Sequence, residues 1–261
     1  MADISPSKPV LDLAGRVIIV TGGGKGIGKV YSEELAKAGA RVVVADIDTA
    51  ANDETAAAIV AAGGAAIAQG TDISSPDSTK AMAAAAVAKW GRIDGLVNNA
   101  SLMSVLGRKP WFEIPVEEWD RVMNVNLRGL FLSCLAVHPQ MKAQGGGKIV
   151  NIASNRVFDG TPNRLHYTTS KAGVVGFTRA LAREVGPDNI TVNAVSPGLT
   201  LSETQLATTT GAYAGAALDT KSLKRPQVPA DLVGAVMFLL SSASNFMTGQ
   251  TMNIDGGQMM H

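Results

Sequence analysis

The sequence predicts an α/β fold, a doubly wound parallel sheet of about seven strands with helices on both faces. Three observations carry that expectation. Short β-branched runs alternate along the chain with longer helical stretches, and units of this length cross over right-handed into parallel sheets. Runs such as Val17-Ile18-Ile19-Val20 and Val42-Val43-Val44 are continuously apolar, as strands covered on both faces are. Between those two lies Thr21-Gly22-Gly23-Gly24-Lys25-Gly26-Ile27-Gly28, a glycine-rich turn from strand to helix with the spacing G-x-x-x-G-x-G.

Residues 1–13, with Pro6 and Pro9, read as a loose lead-in to one domain spanning 14–261. After the first strand, Ile27 to Ala38 reads as a helix stopped by Gly39, with Lys37 near its negative end. Arg41 to Asp46 is the second strand, Thr49 to Ala62 an alanine-rich helix and Ala65 to Gln69 the third strand. Ser74 or Ser75 caps a helix reaching about Trp90. Ile93 to Val97, the fourth strand, delivers Asn98-Asn99-Ala100-Ser101 at its end, and a loop with Pro110 and Pro115 follows. Val116 to Gln144 reads as largely helical, kinked or interrupted near its end by Pro139 and stopped by Gly145-Gly146-Gly147. Lys148 to Ala153 is the fifth strand, Arg164 to Val185 a long helix and Ile190 to Val195 the sixth strand. A lid at about 200–226 precedes a helix from Ala230 to Leu240 and a last strand from Thr251 to Ile254.

Apolar residues make up 46% of the 261 and charged ones 17%, with net charge +1. That balance gives no electrostatic reason to expect nucleic acid or an anionic membrane as partner, so binding has to come from a pocket. No signal peptide and no apolar run of about 18 residues is evident, which points to the cytoplasm. The single Cys134 has no disulfide partner and reads, with Phe131, Leu132 and Leu135, as part of a packed helix face. No metal is expected.

Ligands of such sheets bind beyond the C-terminal strand ends. That rule gathers Thr21 to Gly26, Asp46, Asp72, Asn98 to Ala100, Ser154 and Pro197-Gly198 on one edge. A pyrophosphate would rest on the helix N-terminus after Gly22, Gly26 and Gly28, with Asp46 placed for a ribose 2′-hydroxyl. Gly23, Gly28 and Lys29 also match the start of an ATP-binding P-loop, but Val30 lacks the hydroxyl that motif uses for magnesium. Farther on, Tyr167 and Lys171 stand four apart on one helix face. A phenol, with an ordinary pKa of about 10, is lowered by a neighbouring ammonium and becomes a usable proton donor or acceptor. The plainer reading is an amphipathic tyrosine beside a surface lysine. Ser154, thirteen residues earlier at a strand end, favours the chemical one.

Together these residues resemble the short-chain dehydrogenase/reductase family. The resemblance runs from about Leu13 to Gly257 and rests on Thr21-Gly22-x-x-x-Gly26-x-Gly28, Asp72, Asn98-Asn99-Ala100, Asn126-Leu127-x-Gly129, Ser154, Tyr167-x-x-Ser170-Lys171 and Pro197-Gly198. It implies a Rossmann-type enzyme that moves hydride between a nicotinamide and a carbon bearing an alcohol or carbonyl. Tyr167 would be the general base or acid, Lys171 would lower its pKa and hold the nicotinamide ribose, and Ser154 would orient the substrate oxygen. Asn126, on the residues alone a helix irregularity, would by the resemblance help hold a water that links Lys171 to solvent. Asp72 and Ile73 would flank adenine, Asn99 and Ala100 the adenosine ribose, with Ile27 and Ile47 beside them. Two departures stand out: Ser101 replaces the family's usual glycine, and Thr200 and Ser202 follow Pro197-Gly198 where an aliphatic residue and a threonine are common. Thr200 and Ser202 are carried over as cofactor contacts. His166 points about 100° away from Tyr167 around the helix and is left out.

Asp46 favours NAD over NADP, because a carboxylate repels a 2′-phosphate. Lys25, before the second loop glycine, argues for NADP, but as a flexible solvated side chain it weighs less. Ser101, Met103, Asn155, Val157, Phe158, Leu199 and the lid are expected to line the substrate pocket, most of them small or apolar. The expected substrate is therefore a neutral secondary alcohol or ketone, aromatic or alicyclic, with Arg156 and Arg164 as surface residues. The resemblance also implies a homotetramer built on two long helices, with Cys134 and Phe131 on an apolar face. The alternative is a dinucleotide-binding regulator without turnover.

Overall fold

The computed structural model describes residues 11–103, 106–206 and 218–260. Seven parallel strands form one sheet in the order β3-β2-β1-β4-β5-β6-β7: β1 (Val17–Thr21), β2 (Arg41–Asp46), β3 (Ala65–Gly70), β4 (Gly95–Asn98), β5 (Gly147–Ile152), β6 (Ile190–Pro197) and β7 (Thr251–Ile254). Alternation along each strand divides the core in two. Val17, Ile19, Val43, Leu96, Ile149 and Val192 face one layer, and Ile18, Val20, Val42, Val44, Val97 and Val150 the other. Helices α1 (Gly26–Lys37) and α2 (Thr49–Ala61) cover the second layer through Tyr31, Leu35 and Ile59. Helix α3 (Pro76–Trp90) covers the first through Met82 and Ala86. The strands are apolar on both faces because both faces are covered.

The chain steps outward from β1 to β3 and returns to pair β4 with β1, Thr21 opposite Asn98. This reversal opens a crevice at the C-terminal ends of β1 and β4, where doubly wound sheets bind their ligands. Strand β4 begins at Gly95 rather than Ile93, since the Gln144 side chain takes both the Ile93 N–H (3.1 Å) and its C=O (2.6 Å). Of the expected cap pair, Ser75 is the residue that accepts from the N–H of Ser78.

The helical stretch from Val116 differs from expectation. Helix α4 (Val116–Met123) passes through a π-helical segment, Asn124–Gly129, into α5 (Leu130–Ala143), and Pro139 lies inside α5 without interrupting it. Pro139 and Leu135, four residues before it, are both exposed, so water serves the carbonyl that the proline cannot. The irregularity falls instead at Asn126, whose buried side chain bonds outside its own helix. Cys134 and Phe131 do not share a face: Cys134 is 4% exposed, against the sheet, and Phe131 is 49% exposed. Burial pushes the Cys134 thiol up to about 12, which makes it inert.

Between β5 and β6 lie the single turn α6 (Arg156–Asp159) and the long α7 (Leu165–Val185) beside the first core layer, and the single turn α8 (Glu203–Leu206) follows β6. Helix α9 (Ala230–Leu240) packs beside the second layer. Residues 1–10 of the expected lead-in and 207–217 of the expected lid lie outside the described residues. Among the described residues no helix is long and apolar enough to cross a membrane, and no cluster of three His, Cys, Asp or Glu side chains is placed to hold a metal.

Candidate active site

One cleft of about 570 Å³ runs along the C-terminal strand ends. At one end, Gly22 and Gly26 take φ values of +62° and +56°, which residues with a side chain adopt only under strain. A Cβ at Gly28 would stand 1.8 Å from the Gly22 oxygen. The loop is held from the β4 side: Asn99 Nδ2 donates to the carbonyls of Thr21 and Gly22, each at 3.1 Å, and Thr21 Oγ1 accepts from the N–H groups of Asn99 and Ala100. At the N-terminus of α1, the Gly26 N–H donates to Glu203 Oε1 at 3.0 Å. A carboxylate thus already sits where the positive helix end favours an anion. This cradle fits a dinucleotide pyrophosphate: its space exists because side chains are missing, and its donors hold an anionic group from the chain itself.

Asp46 ends β2 with its carboxylate turned to the loop, accepting from the Gly24 N–H (3.3 Å) and the Asp48 N–H (3.1 Å). Lys25 is not simply solvated. It pairs with Asp48, whose carboxylate raises its pKa. Asp72 closes a local turn by accepting from Ser74, and with Ile73, Ile47 and Ile27 it lines the same end.

The other end is supplied by β5, α7 and β6. Ser154 and Asn155 leave β5, and the Asn155 N–H donates to the Pro197 carbonyl at 3.0 Å, fixing that exit against β6. Asn155 Nδ2 reaches Gln258 Oε1 at 3.0 Å. Tyr167 and Lys171 lie buried one turn apart on α7. Lys171 Nζ donates to the Ile152 carbonyl at 2.7 Å and stands 5.8 Å from the centre of the Tyr167 ring. Burial brings the Lys171 ammonium down to about 8. The Tyr167 phenol stands above its ordinary value, opposite to the expected lowering by Lys171. Burial dominates there, opposed by the hydrogen bond to Ser154 and the charges of Arg156 and Arg164.

Asn126 is the helix irregularity read from the residues alone, and in the structure it is also a tie between segments. Its Oδ1 accepts from the Leu102 N–H (2.7 Å), and its Nδ2 donates to the Leu102 carbonyl and to Ser170 Oγ (3.0 Å). It thereby joins the loop after β4 to the helix of Tyr167 and Lys171. His166, beside Tyr167, is buried and bonded to Glu118 Oε1 at 2.9 Å, away from the cleft.

Most residues expected at the site meet in the cleft lining. Ser101, Met103, Asn155, Leu199, Pro197, Gly198, Thr200 and Ser202 all do. Phe158 and Val157 do not: they follow Arg156 into the turn of α6, and Phe158 stays on the outer surface. Gly28 and Asn126 lie behind the lining. The arginines are the main correction. Arg156 and Arg164 are not surface residues but half-buried walls of the cleft, joined by Arg108 from the loop after β4. Arg156 is anchored by Asp159 and Thr161, and Arg164 Nη1 donates to the Met103 carbonyl at 3.3 Å. Arg164 directly precedes a helix and lies three residues before Tyr167, a spacing that carries it to the same face and that the sequence displays.

Comparison with known proteins places this arrangement among oxidoreductases. The family model described as enoyl-(acyl carrier protein) reductase matches residues 22–259. The chain is 41% identical over 255 residues to the probable galactose dehydrogenase GalD of Rhizobium meliloti, a match covering 97% of this chain and 98% of that one. A solved structure of 7α-hydroxysteroid dehydrogenase complexed with NADH and 7-oxo glycochenodeoxycholic acid is similar with a TM-score of 0.90 and 34% identity, over 96% of this chain and 98% of that one. The 3-ketoacyl-(acyl-carrier-protein) reductase of Brucella melitensis complexed with NADH gives 0.88 and 34%, over 95% and 100%.

Proposed function

The chain belongs to the short-chain dehydrogenase/reductase family, and on that premise we propose that it interconverts a secondary alcohol and its ketone with NAD as the preferred cofactor. The observation that carries the reading is one continuous cleft with an anion cradle at one end and Ser154, Tyr167 and Lys171 at the other. NAD, held by the loop of Gly22 to Gly28, Asp46 and the strand ends, supplies the hydride acceptor. Ser154 Oγ orients the substrate oxygen. Tyr167 Oη takes the hydroxyl proton in oxidation and returns it in reduction. A phenol is protonated near neutrality, the form that ketone reduction uses, and burial holds Tyr167 on that side. Lys171, held by the Ile152 carbonyl beside the Tyr167 ring, places a positive charge next to the phenolate that oxidation needs.

The NAD preference is supported by the pairing of Lys25 with Asp48, which spends the one loop cation expected to attract a 2′-phosphate, while Asp46 keeps its carboxylate at the loop. The apolar walls Leu102, Met103 and Leu199 support an alicyclic or aromatic substrate frame. Its expected neutrality is not supported, because three guanidinium groups share those walls. A regulator that only binds dinucleotide has no use for Ser154 beside a buried tyrosine and lysine. We place the enzyme in the cytoplasm as a homotetramer; the exposed pair Phe131 and Leu135, one turn apart on α5, supports a contact between copies. A paired kinetic assay of secondary alcohols and ketones with both cofactors tests the proposal. Turnover with kcat/KM at least several-fold higher for NAD is the expected result, and equal or better use of NADP overturns the preference.

A further inference from the structure

We propose that the substrate carries a carboxylate, gripped by Arg164 and Arg156 and covered by Arg108. This rests on the alcohol/ketone reading above. Charge is divided along the cleft. The acids that line it, Asp46, Asp48 and Asp72, all belong to the nucleotide end, whereas the charged side chains lining the end of Ser154 and Tyr167 are Arg108, Arg156, Arg164 and Lys171. The same two segments deliver hydroxyls and guanidiniums together. Arg156 follows Ser154 by two residues out of β5, and Arg164 precedes Tyr167 by three, one helical turn away. A ligand whose oxygen meets Ser154 and Tyr167 therefore has cations within a short reach.

Arg164 is the central member. Its Nη1 is held by neutral groups, the Met103 carbonyl (3.3 Å) and Sδ (2.9 Å), and its Nε is buried with no hydrogen-bond partner. Arg156 Nη1 is anchored by Asp159 and Thr161, and its side chain is 19% exposed. The cationic forms of both are disfavoured first by burial, with repulsion from Arg108 adding to it. An assembly of like charges in a half-buried wall is costly by itself, and a planar carboxylate matching the guanidinium fork offsets that cost. Apolar surface beside it at Leu102, Met103 and Leu199 suits a short carbon frame.

The test compares 3-hydroxycyclohexanecarboxylate, its methyl ester and cyclohexanol as substrates with NAD, for wild type, Arg164→Gln, Arg164→Lys and Arg108→Gln. Wild type should favour the acid over the ester by about 10- to 100-fold in kcat/KM, the range of a charge-assisted bond. The ratio should collapse toward one in Arg164→Gln, mainly through KM, recover in part in Arg164→Lys, and fall less in Arg108→Gln, an exposed position that cannot disturb the core. Calorimetry on NADH-loaded protein supplies a second readout: cyclohexanecarboxylate should bind, and cyclohexanecarboxamide should bind at least tenfold more weakly. Equal use of acid and ester, or equal binding of acid and amide, overturns the carboxylate and leaves the alcohol/ketone reading standing. Carboxylate binding without turnover of any alcohol or ketone overturns the underlying reading instead.

Discussion

At the nucleotide end of the cleft the anion cradle is built from main-chain N–H donors and glycines, while at the substrate end the walls are long side chains brought in by α6, α7 and the loop after β4. The first end is made by omission. Gly22, Gly26 and Gly28 leave room, and Thr21 and Asn99 spend their side chains on holding the backbone still. The second end is made by burial of groups that water would otherwise solvate, and its chemistry follows from that burial: Lys171 goes down, Tyr167 goes up and the arginines crowd. A shape-built end should respond to added volume, and a charge-built end to pH and to the loss of single charges.

Adding volume at the first end should have the largest effect. Gly28→Val forces a side chain into the Gly22 carbonyl, so NADH binding by fluorescence titration should be lost, with a stability cost of about 3 kcal/mol or more in urea unfolding. Retained NADH affinity would break the idea that this end works by omission. The effect of pH belongs to the second end. Lys171 falls from an ordinary 10.5 to about 8 in the folded protein, so the unfolded chain binds more protons between those values. Stability therefore rises as pH climbs from 8 toward 10.5, as the cost of burying the ammonium is relieved. Relative to Lys171→Met, wild type should gain about 2 kcal/mol between pH 8 and 10. The raised Tyr31 phenol, which acts in the opposite sense at higher pH, is common to both proteins. Parallel stability curves would contradict this. The smallest effect concerns one charge at the first end: Asp46→Asn should shift the NADP-to-NAD ratio of kcat/KM by about tenfold toward NADP, and an unchanged ratio would show that Asp46 does not face the ribose.

The contrast between the two ends also explains how much the sequence disclosed. Strand runs such as Val42-Val43-Val44, the glycine spacing and the interval from Tyr167 to Lys171 are local patterns, and local geometry follows from them. The sheet order follows because repeated units of one handedness leave few topologies. Burial of a polar side chain is set by distant segments. Arg156 and Arg164 have the composition of surface residues, and only the loop bearing Met103 and Arg108, packed opposite, makes them walls. Phe158 departs from expectation for the converse reason, since the turn of α6 directs it outward although Asn155 and Arg156, where that turn begins, line the cleft. At Pro139 the helix is not interrupted, because the missing bond falls on the solvent side of α5. Asn126 was legible as an irregularity, but its partners, Leu102 and Ser170, lie 24 and 44 residues away.

In the proposed mechanism Tyr167 moves the substrate proton, and the nucleotide end binds without it. Tyr167→Phe removes the phenolic oxygen and nothing else, and the decisive measurement pairs ketone reduction with NADH titration on the same preparation. Turnover should fall by about 10²- to 10⁴-fold, with NADH affinity within about twofold of wild type. Wild-type turnover in the variant, or loss of NADH binding together with activity, would contradict it.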